Sequence, residues 1–132
     1  MPFHSDCALV HELDESGWVK VLDAGSALLA LELRQLGGAF AVPAASGGAL
    51  DRFAAPLHYY GVGMAAEATE HDLEAVRPAI QPYLTGFTAP NFVDHFQQPQ
   101  RTHDDETRVR VERVRRVVAP TGLFAGDVEA VV

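Results

Sequence analysis

Residues 57–65 read Leu-His-Tyr-Tyr-Gly-Val-Gly-Met-Ala, and their alternation decides the class of fold. On an extended chain Tyr60, Val62 and Met64 fall on one side, and Gly61 and Gly63 on the other. Two glycines on one strand face mark a place where another group approaches the backbone closely. Upstream, residues 27–35 repeat the pattern, with Leu29, Leu31 and Leu33 on one side and Leu28, Ala30, Glu32 and Arg34 on the other. Gly37-Gly38 and the small-residue loop at 43–48 separate the two strands.

Helical signals flank this pair. Asp14 is placed to cap the free N–H groups of a first turn, and Leu13 and Trp18 have the spacing of a hydrophobic staple. Val21 and Leu22 continue the apolar stripe, and Gly25 supplies a stop. Downstream, Thr69-Glu70-His71-Asp72 has the Thr-x-x-acid form of a helix start, followed by Leu73, Val76, Ile80 and Tyr83 or Leu84 at helical spacing. Pro78 interrupts that stripe and predicts a kink or an end near Arg77. Residues 87–93 read as a third strand, with Pro90 placing it at an edge. Residues 104–118 read as a helix: Val111, Val114 and Val118 recur at its period, acids fill the first turn and arginines the last. The order helix, strand, strand, helix, strand, helix gives an α+β fold, an antiparallel sheet with helices packed on one face.

The 132 residues make one domain, with an apolar fraction of 48% that suits a globular chain. No run approaches the ~20 apolar residues of a membrane helix, and residues 1–6 lack the basic and apolar regions of a signal peptide. The single cysteine, Cys7, excludes an internal disulfide and points to a reducing compartment, the cytoplasm. A net charge of −8 argues against nucleic acid as a partner. Six of the ten basic residues lie between Arg101 and Arg116, but Asp104, Asp105, Glu106 and Glu112 interleave them and no aromatic residue stands among them to stack on bases.

Catalytic motifs are few. The histidines at 4, 11, 58, 71, 95 and 103 form no pair at helical metal-ligand spacing; only His71 with Asp72 and His95 with Asp94 offer two donors side by side. Neither a nucleophile elbow nor a phosphate-binding loop is present, and Gly61-Val62-Gly63 lacks the third glycine of a dinucleotide fingerprint. Tyr59, Tyr60 and Asn91 are the polar groups on otherwise apolar stretches.

Five motifs in order carry a resemblance. They are Glu32-Leu33-Arg34-Gln35-Leu36-Gly37-Gly38-Ala39, Arg52, the span from Arg77-Pro78 to Tyr83-Leu84-Thr85-Gly86, Asn91-Phe92, and the span from Arg113-Val114 to Pro120-Thr121-Gly122-Leu123-Phe124. Over residues 13–127 the chain resembles the C-terminal part of the FAD-linked oxidoreductases of the berberine-bridge-enzyme and hexose-oxidase type. In that family a large N-terminal domain binds FAD and a middle domain covers the flavin and binds substrate. The chain then returns to the flavin domain through a helix and a Pro-x-x-x-Phe tail. Residues 13–94 resemble the second half of the substrate domain, a ferredoxin-like half, and residues 104–127 resemble the returning helix and tail.

Several positions depart from the family pattern. Ala89 stands where the family has a tyrosine before Asn-Phe, Asp51-Arg52 replaces its His-Arg pair, Ala119-Pro120 its Asp-Pro, and Ala125-Gly126-Asp127 its terminal asparagines. The resemblance implies Tyr59, Tyr60 and Asn91 as residues facing substrate, with Glu32 and Arg34 on the outward strand face. It implies no cofactor bound by this chain alone, and FAD where a partner or further sequence supplies the flavin domain. It implies a chain that is inactive by itself, a homodimer through the faces left bare, and a flavin-binding partner. Leu28, Ala30, Leu57 and Tyr59 are the candidates for the bare face. The competing reading is a stand-alone α+β binding or dimerisation module without flavin; a small acidic enzyme with a histidine site ranks third.

Overall fold

Asp14 caps the first helix as its position predicts. Its carboxylate accepts a hydrogen bond from the Gly17 amide at 2.7 Å, and α1 (Glu15–Ala24) runs from there to Gly25. Asp14 also accepts one from the Tyr83 hydroxyl at 2.8 Å, which ties this helix start to the far end of the second helix. Both hydrogen bonds hold the Asp14 carboxyl below its ordinary pKa, the backbone one first. The Tyr83 ring lies so close over Gly17 that a Cβ there would overlap it.

The computed structural model describes residues 2–92 and 101–122. Three strands, β1 (Phe3–Val10), β2 (Ala30–Gln35) and β3 (Leu57–Met64), form one antiparallel sheet in the order β1-β3-β2. Two further helices follow, α2 (Glu67–Ile80) and α3 (Asp105–Val118). The α+β class, the antiparallel sheet and the strands read at 27–35 and 57–65 therefore stand as read from the sequence.

The third strand does not lie at 87–93. It is β1, at the N-terminus, where Ser5, Asp6 and Cys7 give no apolar alternation yet all are buried. Within 87–93 the described residues carry one isolated bridge, Phe87 to Arg101, and a 3₁₀ turn, Pro90–Phe92; Val93 lies outside the described residues. Before that turn the chain runs back along the end of β1. The Leu9 amide donates to the Phe87 carbonyl and the His11 amide to the Tyr83 carbonyl, each at 2.8 Å.

The second helix differs in two details. It starts at Glu67 after Ala66, without a side-chain cap, so Thr69 lies inside the first turn. Pro78 neither ends nor interrupts the helical assignment, which continues to Ile80 and passes into the 3₁₀ turn Gln81–Tyr83. The missing N–H falls on an exposed side, while Val76 and Ile80 are anchored in the core.

Register assigns each face. Ala8, Tyr59 and Leu33 form one row across the sheet, and Asp6, Gly61 and Leu31 another. These rows lie under α1 and α2, where Ala8, Val10, Val21, Tyr59, Val76 and Ile80 make the core. Each fully buried Val or Ile is worth roughly 1.5–3 kcal/mol relative to exposure. The two glycines serve this face. A Cβ on Gly61 would lie 3.1 Å from Leu73 Cδ2, and one on Gly63 would lie 2.7 Å from Thr69 Oγ1, so α2 is the group that approaches the backbone. Arg77 of α2 reaches back to pair with the buried Asp6.

Asp104 caps the last helix, accepting from the Thr107 amide at 2.7 Å, and within one chain its valine stripe stays largely open. Val114 and Val118 are 57% and 65% exposed, and Val111 is half-buried. The Phe124 tail lies outside the described residues.

Candidate functional site

The sheet face turned away from α1 and α2 holds three rows, of which Ser5, Val62 and Ala30 form one. Cys7, Tyr60 and Glu32 lie opposite one another in register, and Leu9, His58 and Arg34 form the next row. A local rule sets this arrangement: alternation on β3 sends His58 and Tyr60 to one face and Leu57 and Tyr59 to the other.

Three of the five residues expected at the site, Tyr60, Glu32 and Arg34, meet there. Arg34 donates from Nε to Glu32 Oε1 at 2.9 Å, a pair two residues apart on an edge strand. Phe92 covers the middle: its ring centroid is 5.3 Å from that of Tyr60 and 4.7 Å from that of His58. The Arg34 guanidinium stands 5.6 Å from the centre of the same ring. Asn91 is the exposed neighbour of Phe92 in the same 3₁₀ turn.

Tyr59 does not join them. It is wholly buried beneath the helices, and its hydroxyl has no hydrogen-bond partner among the described residues. Burial, helped by the nearby Asp6 carboxylate, pushes its pKa far up. Tyr59 is a core residue, because adjacent residues on a strand cannot face the same side. The bare-face expectation changes accordingly: Leu28, Leu57 and Tyr59 contact the core, and only Ala30 is exposed.

Sequence reading missed three members of the site: His58, Cys7 and Phe92. His58 stands two residues before Tyr60, and that spacing alone places it on the same face. The residue is 3% exposed, and Nε2 finds no partner among the described residues. Burial holds its pKa below the ordinary value, the Arg34 charge adds to this, and the Glu32 carboxylate opposes it. The ring is therefore neutral at neutral pH and offers a proton-accepting nitrogen. Cys7 is locked: its thiol donates to the Phe92 carbonyl at 3.1 Å and shares a 2.9 Å hydrogen bond with the Thr88 hydroxyl. These two contacts fasten the Phe92 turn to β1.

A cavity of about 480 Å³ adjoins this face at Leu9. Leu9, Phe53 and Phe87 form its apolar side, and His11, Arg52 and Thr107 part of its polar side. Asp51 and Asp104 also line it, so it carries no single sign of charge. Of the five expected site residues, none lines this cavity.

The described residues do not fit the pyrophosphate of FAD. Such a group needs free N–H groups at a helix start. Here α1 and α3 begin under the carboxylates of Asp14 and Asp104, and α2 has Glu67 and Glu70 in its first turn. Among the described residues no three His, Cys, Asp or Glu side chains gather as a metal site. His71 lies 3.7 Å from Asp72 and is largely exposed; His95 and Asp94 lie outside the described residues. No described helix is long and apolar enough to cross a membrane. Compared with known proteins, the chain matches no family model and no curated sequence.

Proposed function

We propose that this chain is the substrate-domain portion of an FAD-linked oxidoreductase of the berberine-bridge type, inactive until a flavin-binding domain is supplied. The observation that carries this reading is the helix-free sheet face. Three residues chosen through the resemblance, Tyr60, Glu32 and Arg34, share it with His58 and Phe92. An aromatic floor with one charged pair at its edge suits a substrate lying flat between this sheet and a flavin. Tyr60 and Phe92 position the substrate, Arg34 addresses its polar end, and the buried His58 supports the two rings from beneath. The flavin itself accepts hydride when its own domain holds it, and this chain contributes orientation and exclusion of water. The order β1-β3-β2, with the chain returning beside β1 at Leu84, supports the ferredoxin-like detail of the reading. The single buried cysteine supports a reducing compartment, the cytoplasm.

The test begins with the DNA directly upstream of the Met1 codon. A flavin-binding reading frame is expected there, and the purified chain alone should be colourless. A yellow preparation with stoichiometric flavin would defeat the assignment of the flavin site to another segment. A second reading, a stand-alone α+β dimerisation module, is favoured by the exposed apolar residues on α1 and α3. An upstream region without any flavin-binding frame would favour it over the first.

A further inference from the structure

Two helices present apolar stripes that the described residues leave open, and their borders carry opposite charge. On α3 the residues Arg110, Arg113, Val114, Val117 and Val118 follow one another at helical spacing along one stripe. Val114, Val117 and Val118 are 57%, 76% and 65% exposed. On α1 the equivalent stripe is Glu15, Trp18, Val19, Leu22 and Asp23. Val19 and Leu22 are 53% and 51% exposed, and Glu15 and Asp23 are exposed beside them. Lys20, the one base on α1, lies near enough to the Asp14 cap to lower its carboxyl pKa. These exposures hold with α3 in place, so the protein's own α3 does not cover α1.

We infer that the occupant of the α3 stripe is α1 of a second copy of this chain. Charge decides between the two self-pairings available. Crossing α3 on a second α3 at Val114–Val118 would bring Arg113, Arg115 and Arg116 of both copies together, a like-charge contact. Crossing α3 on α1 sets Arg110 and Arg113 against one acidic end of the α1 stripe instead, Glu15 or Asp23 according to the direction of crossing. The first hundred residues hold twelve acidic and four basic side chains, so the body of each copy attracts the basic half of the other's α3. A two-fold axis closes the exchange: each copy gives its α3 and receives one, and no stripe is left to extend a chain of subunits.

Sedimentation of the full chain at micromolar concentration should show twice the chain mass. Two reverse-charge variants test the pairing, with circular dichroism confirming that each folds. Arg110→Glu with Arg113→Glu should sediment as a monomer, and so should Glu15→Arg with Asp23→Arg. An equimolar mixture of the two should recover the dimer, because each contact then joins opposite charges again. A monomeric parent would overturn the proposal. So would a dimer that the α1 changes leave intact, or a mixture that stays monomeric.

Discussion

The two faces of one three-strand sheet were built from adjacent residues and do different work. Tyr59 points under α1 and α2, where it is wholly buried. Tyr60 points the other way, among His58, Phe92 and the Glu32–Arg34 pair. The helix-covered face is held by apolar burial and the Asp6–Arg77 pair. The open face carries its own apolar cluster at Leu9, Leu36 and Ala55, ring contacts around Phe92, and the hydrogen bonds of Cys7 to Thr88 and to the Phe92 carbonyl. The two faces are thus separated by a period of two, and substitutions can probe each alone.

The largest contrast lies between the two tyrosines. Tyr59→Ala empties a core site and should cost about 3–5 kcal/mol. Tyr60→Ala removes half-buried ring contacts and should cost about 1 kcal/mol. Urea melts compare them directly. Equal losses would mean that the open face belongs to the core as fully as the covered one does.

Gly61→Ala sharpens the covered side. The added methyl would lie 2.7 Å from the Tyr59 hydroxyl and 3.2 Å from Leu28 Cδ1. Overpacking of this kind costs about 1–3 kcal/mol, more than the ~0.4–1 kcal/mol that replacing a glycine usually returns. A midpoint at or above the parent's would show that α2 can move away from β3.

The smallest effect belongs to the open side and depends on pH. The His58 pKa is lowered on folding, so the unfolded chain takes up its proton near pH 6.5 while the folded chain resists it. The contribution is complete above about pH 6.5 and is lost as pH falls below it. The Asp14, Asp104 and Glu112 carboxyls, all lowered, act in the more acid carboxylate range. His58→Phe should therefore flatten the stability profile just below pH 6.5 and leave the acid limb in place. An unchanged profile would assign that titration to another group.

Legibility followed how locally each feature is determined. Asp14 and Gly25 act within their own turns, and α1 is readable from them; α3 is readable from its valine period and the charges at its two ends. The alternation at 29–34 and 57–64 carried β2 and β3. Strand β1 was not readable, because Asp6 finds Arg77 and Cys7 finds Thr88 far along the chain, and only those contacts let polar residues lie buried in a strand. The site was half legible. Glu32, Arg34 and Tyr60 came from the resemblance, but Tyr59 was grouped with Tyr60 against the alternation that separates them. His58 could have been found from that same alternation. Phe92 could not, since a 3₁₀ turn anchored by Cys7 brings it over the sheet.

The open-face assignment is tested most directly by a binding measurement. The flavin-binding segment read from the DNA upstream would be titrated with this chain and with its Tyr60→Ala and Tyr59→Phe variants. Tight binding by the parent and by Tyr59→Phe, with at least a tenfold loss for Tyr60→Ala, is the result the assignment predicts, a difference of about 1.4 kcal/mol. Equal affinity for all three, or no binding by the parent, would contradict it.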